Sequence, residues 1–347
     1  MKKIIIAVVI WILIILKPFS MAYGMDEGEI TTISLVGDVM MDGTVKKAVE
    51  KYGYFYPWGR VQHYFKNSHL SIVNLETSIT DKETIWPDKE FNFKSSPKNL
   101  DAMKKAGINI ATLANNHILD YGYEGLLDTL MYLEESGIQY VGAGRNKKEA
   151  LKGTIVEANG LKFGVIAFSR VIPHVNWYAT DKRPGLVGAY DGFTKDMMNR
   201  IEGLKKEVDI LILSIHWGKE RSTYPRKEEI AVAKEAIDRG VDIVMGHHPH
   251  VLQGIEIYKD KPIFYSLGNF VFGSKDELTK TTMIGQVVMK GKKIDRVEII
   301  PCSIMDGRPI PLEDNEKSRV IGYIKDLSKP FKTNITSDGT IRIKSEK

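Results

Sequence analysis

Disulfides are out of reach for this chain. Cys302 is the only cysteine among 347 residues. No intrachain bridge can form, and the fold must be held by its own core, which a chain of this length can build. Charge of one sign is also missing. The formal net charge is +5, and three of the bases, Lys2, Lys3 and Lys17, sit in an acid-free N-terminal segment. The remainder carries 46 Lys and Arg against 44 Asp and Glu, which excludes a dedicated nucleic-acid binder. Internal repeats and low-complexity tracts are absent. With 43% hydrophobic and 27% charged residues, the composition is that of a globular chain, not a disordered tail or a coiled coil. The length allows two or three ordinary domains or one large α/β unit.

Only one long apolar run exists. Residues 4–16 are uncharged, follow Lys2 and Lys3, and precede Ala22-Tyr23-Gly24, which has small residues where a signal peptidase reads. The run is shorter than the ~20 residues of a spanning helix. Residues 1–24 therefore read as a cleaved signal in preference to a retained membrane anchor. Polar Met25-Asp26-Glu27-Gly28 follows at once, which argues against a core helix. No cysteine stands nearby to carry a lipid. The expected location is extracytoplasmic, secreted or held at the outer face of the cytoplasmic membrane.

From residue 30 onward, short apolar runs alternate with amphipathic stretches. Residues 33–36, 70–73, 108–113, 163–168, 210–215 and 241–245 read as strands, with helices at 97–106, 122–135 and 227–239. Ser96 before Pro97 predicts an N-cap with proline at the first helical position. Gly107, Gly137 and Gly240 stand just past helix ends, where a left-handed residue is wanted. This alternation predicts an α/β domain with a parallel or mixed sheet. Residues 251–258, 262–267, 282–289 and 294–300 then follow one another through short turns, as in an antiparallel second sheet or edge. One main domain is expected over 25–310. Residues 311–347, with a helix at 317–327, read as peripheral. Residues 170–191 read as a surface loop long enough to be functional.

The chemistry collects at the carboxyl ends of the strands. Asp38, Asn74 and Glu76, the run Asn115-Asn116-His117, then His216, and finally His247, His248 and His250 all fall there. Ligands bind outside such strand ends in open α/β sheets. Imidazole, carboxylate and amide oxygen together suit Zn²⁺, Mn²⁺ or Fe. Each residue also has a plainer reading. His216 could be a core histidine, Asp38 the N-cap of a helix over 39–51, Glu76 a charged strand end, and Asn116 a turn residue.

The motifs Gly37-Asp38-Val39-Met40, Asn74-Leu75-Glu76, the stretch from Asn115 to Gly122, His216-Trp217-Gly218-Lys219-Glu220, the stretch from Gly246 to Val251, and Ser266-Leu267-Gly268-Asn269-Phe270 resemble the CapA (PgsA) family. That family is tied to poly-γ-glutamate capsule synthesis and is related to calcineurin-like metallophosphoesterases. The resemblance covers residues 30–301 in motif order. It implies a layered α-β-β-α metallophosphoesterase-like sandwich with mixed sheets. It also implies a divalent-metal site built from Asp38, Glu76, Asn116, His216, His248 and His250. His117 would protonate or stabilise a leaving group, with Asp120 and Glu220 orienting it and the attacking water. The family's first motif is Asp-x-His, and here Met40 stands in the third place. A thioether is a poor ligand for hard metals, so one tight metal and a weaker second one are expected.

A polyanionic substrate calls for cations. Arg145, Arg170, Lys182, Arg183 and Arg221 lie in loops that could reach the strand-end crevice. Trp177 and Tyr178 could cover a substrate or pin the loop that carries them. The resemblance implies action on poly-γ-glutamate as a hydrolase or transferase. The alternatives are a non-catalytic subunit bound to membrane capsule-synthase partners, and a phosphodiesterase or phosphatase acting on a cell-wall phosphopolymer. Cell fractionation should find the mature chain outside the cytoplasmic membrane, and a full-length cytosolic product would contradict this. The N-terminal mass then separates cleavage after Gly24 from a retained anchor.

Overall fold

The computed structural model describes residues 29–190 and 192–343. The signal or anchor expected at residues 1–24 lies outside them. Among the described residues, no helix is long and apolar enough to cross a membrane.

The first half runs β1 (Ile30–Val39), α1 (Thr44–Tyr52), β2 (Leu70–Leu75), α2 (Lys98–Ala106), β3 (Ile110–Thr112), α3 (Gly122–Glu135) and β4 (Gln139–Val141). The second half runs β5 (Thr154–Ala158), β6 (Leu161–Ser169), α4 (Thr194–Lys205), β7 (Ile210–His216), α5 (Lys227–Asp238) and β8 (Ile243–His247). Then come β9 (Ile255–Tyr258), β10 (Lys261–Phe264), β11 (Asn269–Val271), β12 (Thr281–Lys290), β13 (Lys293–Met305), β14 (Arg308–Pro311), α6 (Asp314–Ser328) and β15 (Thr340–Arg342). A nine-stranded sheet has the order β14-β13-β12-β1-β2-β3-β4, with β11 added to β1 and β15 to β13. A six-stranded sheet has the order β9-β10-β8-β7-β6-β5. The second sheet has a parallel centre between two antiparallel edges, whereas the first is parallel from β1 to its β4 edge and antiparallel on the other side.

The layers follow from period-two alternation. Ile33 and Leu35 of β1, Leu70 and Ile72 of β2, Phe163 and Val165 of β6, and Ile210 and Ile212 of β7 meet in one core between the two sheets. Their neighbours point the other way. Val73 and Leu75 pack under α2 and α3 through Leu100, Met103, Leu126 and Leu130. Leu211 and Leu213 pack under α4 and α5 through Met198, Ile201, Ala233 and Ile237. The result is an α-β-β-α sandwich with mixed sheets, in which both sheets are apolar on both faces, as covered parallel strands require.

Three details differ from expectation. The four late strands do not form a sheet of their own: β9 and β10 make a hairpin on the edge of the second sheet, and β12 and β13 make one beside β1 in the first. The C-terminal segment is not peripheral. Val320, Ile321, Ile324 and Leu327 of α6 enter the inter-sheet core together with Ile335 and Ile341, and β15 extends the first sheet. Ser96 is displaced by one position, since Pro97 itself occupies the N-cap of α2. The glycines past helix ends do sit at positive φ, with 104° at Gly107, 65° at Gly137 and 114° at Gly240.

Two other glycines are needed for space. A Cβ on Gly37 would lie 1.8 Å from the Gly268 carbonyl oxygen, and one on Gly246 would lie 2.1 Å from that of Tyr265. Backbone cannot give way as a flexible side chain can. Gly37→Ala should therefore cost about 3 kcal/mol by overpacking, read as a lower urea midpoint at unchanged slope. Gly59→Ala, whose Cβ would meet nothing closer than 3.9 Å, should stay within about 0.5 kcal/mol of the parent. Equal shifts in the two variants would contradict the close-approach argument.

Candidate metal centre

The site is built where β1, β2, β7 and β8 end side by side. Register in β1 jumps between Leu35 and Asp38, where three residues face two of β2. Such a bulge re-aims a side chain, and here it turns Asp38 inward. The Asp38 N–H donates to the Gly268 carbonyl at 2.9 Å, which needs the glycine at 37. Asn74 Nδ2 donates to Asp38 Oδ1 at 2.9 Å. Asn115 holds Asn74 in turn by donating to its Oδ1 at 3.1 Å. Asp38 thus ends a strand and caps no helix, since α1 starts later with Gly43 at its N-cap.

Three donor groups converge. Glu76, His216 and His248 have ligand atoms within 4.8 Å of one another; so do Asp38, Glu76 and His250, and so do Glu220, His248 and His250. His216 Nε2 lies 2.7 Å from Asn116 Oδ1 and 3.4 Å from Glu76 Oε1. His250 Nδ1 lies 3.2 Å from Asp38 Oδ2 and 2.9 Å from Asn269 Oδ1. His248 and His250 both face the crevice because the turn after β8 has left-handed backbone at each, with φ 93° and 57°. Outside glycine such backbone costs of order 1–3 kcal/mol per residue and gathers at functional sites.

The donor set fits a divalent cation on its own evidence. Glu76 is fully buried, and neither carboxylate oxygen has a hydrogen-bond partner among the described residues. His248 Nδ1 is likewise buried and unpartnered. A buried charge without compensation costs several kcal/mol, so the field around Asp38 and Glu76 draws positive charge. Burial, reinforced by the Asp38 charge, pushes the Glu76 carboxyl well above its usual range. Burial alone would raise Asp38 too, but its contacts with His247 and His250 prevail and hold it well below. Burial opposes a charge on His250, yet Glu76 and Asp38 push its imidazole up to about 10. Burial and the neighbouring histidines do the reverse elsewhere, bringing His248 down to about 3 and His216 well below its ordinary value. Neutral imidazoles such as His216 and His248 are the donor state that metals take, and a cation bound at Glu76 and His250 would displace their protons.

Beside this cluster stands a second constellation. His117 Nδ1 lies 2.8 Å from Asp120 Oδ2 and 3.0 Å from Lys89 Nζ, while Lys89 Nζ donates to Asp120 Oδ1 at 2.5 Å. An ammonium only donates, so the ring nitrogen either accepts from Lys89 or donates to Asp120. The Phe93 N–H also donates to Asp120 Oδ2, at 2.8 Å. Burial is the main cause that lowers both His117 and Lys89.

Lys89 has no place in the sequence-based expectation of site residues, and His247, expected at a strand end, has none among the expected metal ligands. His247 lies on the inter-sheet face of β8 with Met245, and its Nδ1 is 3.2 Å from Asp38 Oδ1. Lys89 comes from residues 81–93, which have no periodicity to read.

The expected cations are mostly engaged. Arg145 is held by Glu134 at 2.8 and 2.9 Å and contacts the Tyr140 hydroxyl, so its guanidinium serves the surface at α3 and β4. Arg221 pairs with Asp276 at 2.9 Å. Arg183 donates to Asn176 Oδ1 and the Tyr178 carbonyl, both at 3.1 Å. Arg170 sits beside His216, donating its backbone N–H to the His216 carbonyl at 2.7 Å and its side chain to that of Ala189. Lys182 is exposed and forms no ion pair among the described residues. Trp177 is fully buried against Trp86, ring centroids 5.6 Å apart, so it pins its loop.

Lys89 and Asp120 should be energetically coupled. Lys89→Met strands a buried carboxylate and should cost about 3 kcal/mol or more. In a cycle with Asp120→Asn, urea unfolding should give a coupling of about 1–3 kcal/mol. Additive single effects would contradict the pairing.

Comparison with known proteins shows the family to which the chain belongs. The capsule biosynthesis protein CapA of Bacillus anthracis is 34% identical over 309 residues, spanning 87% of this chain and 75% of that protein. The PGA biosynthesis protein CapA of Bacillus subtilis strain 168 is 32% identical over 304 residues, spanning 87% and 78%. Among solved structures, TT1561 of Thermus thermophilus aligns with 78% of this chain and 98% of its own at 9% identity, with a TM-score of 0.40. The profile of the bacterial capsule synthesis protein family, PGA_cap, matches residues 32–274. That span takes in every strand end that bears a donor, and the chain belongs to the PGA_cap family.

Proposed function

We propose that this protein is an extracytoplasmic, divalent-metal-dependent hydrolase or transferase that acts on poly-γ-glutamate during capsule synthesis or export. The observation that carries the reading is Glu76, a fully buried carboxylate with both oxygens unpartnered and three histidines around it. The names of the Bacillus relatives, a capsule and a PGA biosynthesis protein, support the substrate.

In this reading Glu76, Asn116, His216 and His248 hold one Mn²⁺, Zn²⁺ or Fe ion tightly, and Asp38, Glu76 and His250 hold a second one more weakly. Bound there, the metal supplies Lewis acidity and lowers the pKa of water toward ~7. The chain's own groups do the rest. Asn74 and Asn115 fix the inner donors. Asp120 and Lys89 engage His117 Nδ1, which leaves Nε2 as the nitrogen that passes a proton to the leaving amine of a cleaved amide. Met40 turns its sulfur to the Asp42 N–H at 3.3 Å, which supports a weaker second position. Arg170, whose backbone is tied to His216, and the exposed Lys182 are left to meet the polymer's carboxylates, whereas Arg145 has another task.

His216→Ala should strip the tight metal and abolish product release from poly-γ-glutamate. His117→Ala should keep the metal and lose about 10²–10⁴ in rate, the usual worth of a general acid. Metal analysis of the purified variants, with a screen of amide and phosphoester substrates, checks both. Equal metal loss in the two variants would overturn the division of roles.

A further inference from the structure

Glu220 is the one member of the three donor groups that lies on the surface. Among the described residues its carboxylate makes no hydrogen bond or ion pair, and it still lies within ligand spacing of His248 and His250. That proximity is built by the backbone. The Arg221 N–H donates to the Pro249 carbonyl at 2.8 Å, tying the residue after Glu220 to the proline between the two histidines. Gln253 Nε2 donates to the Ser222 carbonyl at 2.8 Å, and Arg221 pairs with Asp276 at 2.9 Å. Gly218, at φ 91°, lets the chain turn beneath Pro249, whose Cγ would lie 3.3 Å from a Cβ there. Three ties on neighbouring residues hold the loop so that Glu220 faces the histidine turn, although its own side chain anchors nothing.

At the buried end of the cluster a donor is missing. Met40 follows Asp38 by two residues, and its sulfur is turned toward the Asp42 N–H. The Asp38, Glu76 and His250 group is thereby left with three donors. His248, which shares a donor group with Glu220, has its Nδ1 buried and unpartnered.

We propose that Glu220 is a metal ligand, closing from the solvent side, together with His250, the shell that Met40 leaves short on the inner side. This deepens the metal-dependent reading above and rests on it. A carboxylate oxygen is a hard donor that suits Mn²⁺ or Zn²⁺ where a thioether does not. Glu220 replaces a missing imidazole in donor number and adds a negative charge where the histidine would have been neutral. The role differs from orienting the attacking water, because it is visible in metal affinity without turnover.

The test is calorimetric titration of the full-length chain, purified in mild detergent, with Mn²⁺ alone. The wild type should bind two ions, the second more weakly. Glu220→Gln, an exposed and nearly isosteric change, should leave the first ion untouched and weaken the second by at least about tenfold, the scale of loss seen even for outer-shell partners. Met40→His in the Glu220→Gln background should restore the second affinity, since an imidazole returns a donor from the inner side. A second affinity within twofold of wild type in Glu220→Gln, or only one ion in the wild type, would overturn the role of Glu220 and leave the first site standing. A wild type that binds no Mn²⁺ would remove the metal-dependent function itself.

Discussion

Two carboxylates buried at the ends of adjacent parallel strands dictate the rest of this site. Asp38 and Glu76 are both completely shielded from solvent, and their mutual repulsion raises Glu76 further. Desolvating one such charge without a partner costs several kcal/mol, a large part of a domain's whole stability of about 5–15 kcal/mol. The surrounding structure answers that cost. Asn74 reaches Asp38 from the next strand, His247 and His250 close on its oxygens, and the turn that brings His250 in accepts left-handed backbone at two non-glycine residues. Gly37 and Gly246 keep side chains out of the places where backbone must come close.

Much of this was legible in the sequence, for a physical reason. Strands such as Ile210–His216, covered on both faces, are mostly apolar, so a cluster of polar residues after the run marks the carboxyl end. Asp38, His216, the stretch Asn74 to Glu76, the run Asn115 to His117 and the stretch His247 to His250 announce themselves in that way. The layer arrangement was implied by the family resemblance and follows independently from the alternation that sends Ile212 one way and Leu213 the other. What the local pattern does not contain is the partner of an element. The strands after residue 251 are visible as strands, but nothing in them tells that β10 will lie parallel to β8 while β12 joins β1. The helix Asp314–Ser328 was visible as a helix, and its burial depends on the gap between sheets that it fills.

The same limit applies to charges. Arg145 stands in a loop of cationic residues, and only the folded chain brings Glu134 against it. Lys89 is the opposite case. An isolated lysine in an irregular segment carries no pattern, yet its ammonium is sunk beside Asp120 and His117. It gives the His117 and Asp120 pair a third member and connects a loop of the first half of the chain to the chemistry. The family match spans every one of the donor residues. The packing around them explains why each holds its place.

The central claim is that the buried carboxylates and their histidines hold a divalent cation. Anomalous diffraction from crystals grown with Mn²⁺, recorded near the manganese edge, tests it most directly. The account predicts a strong peak within coordination distance of Glu76, His216 and His248. An anomalous map with no peak in that cluster, while Glu76 and the histidines keep their places, would contradict it.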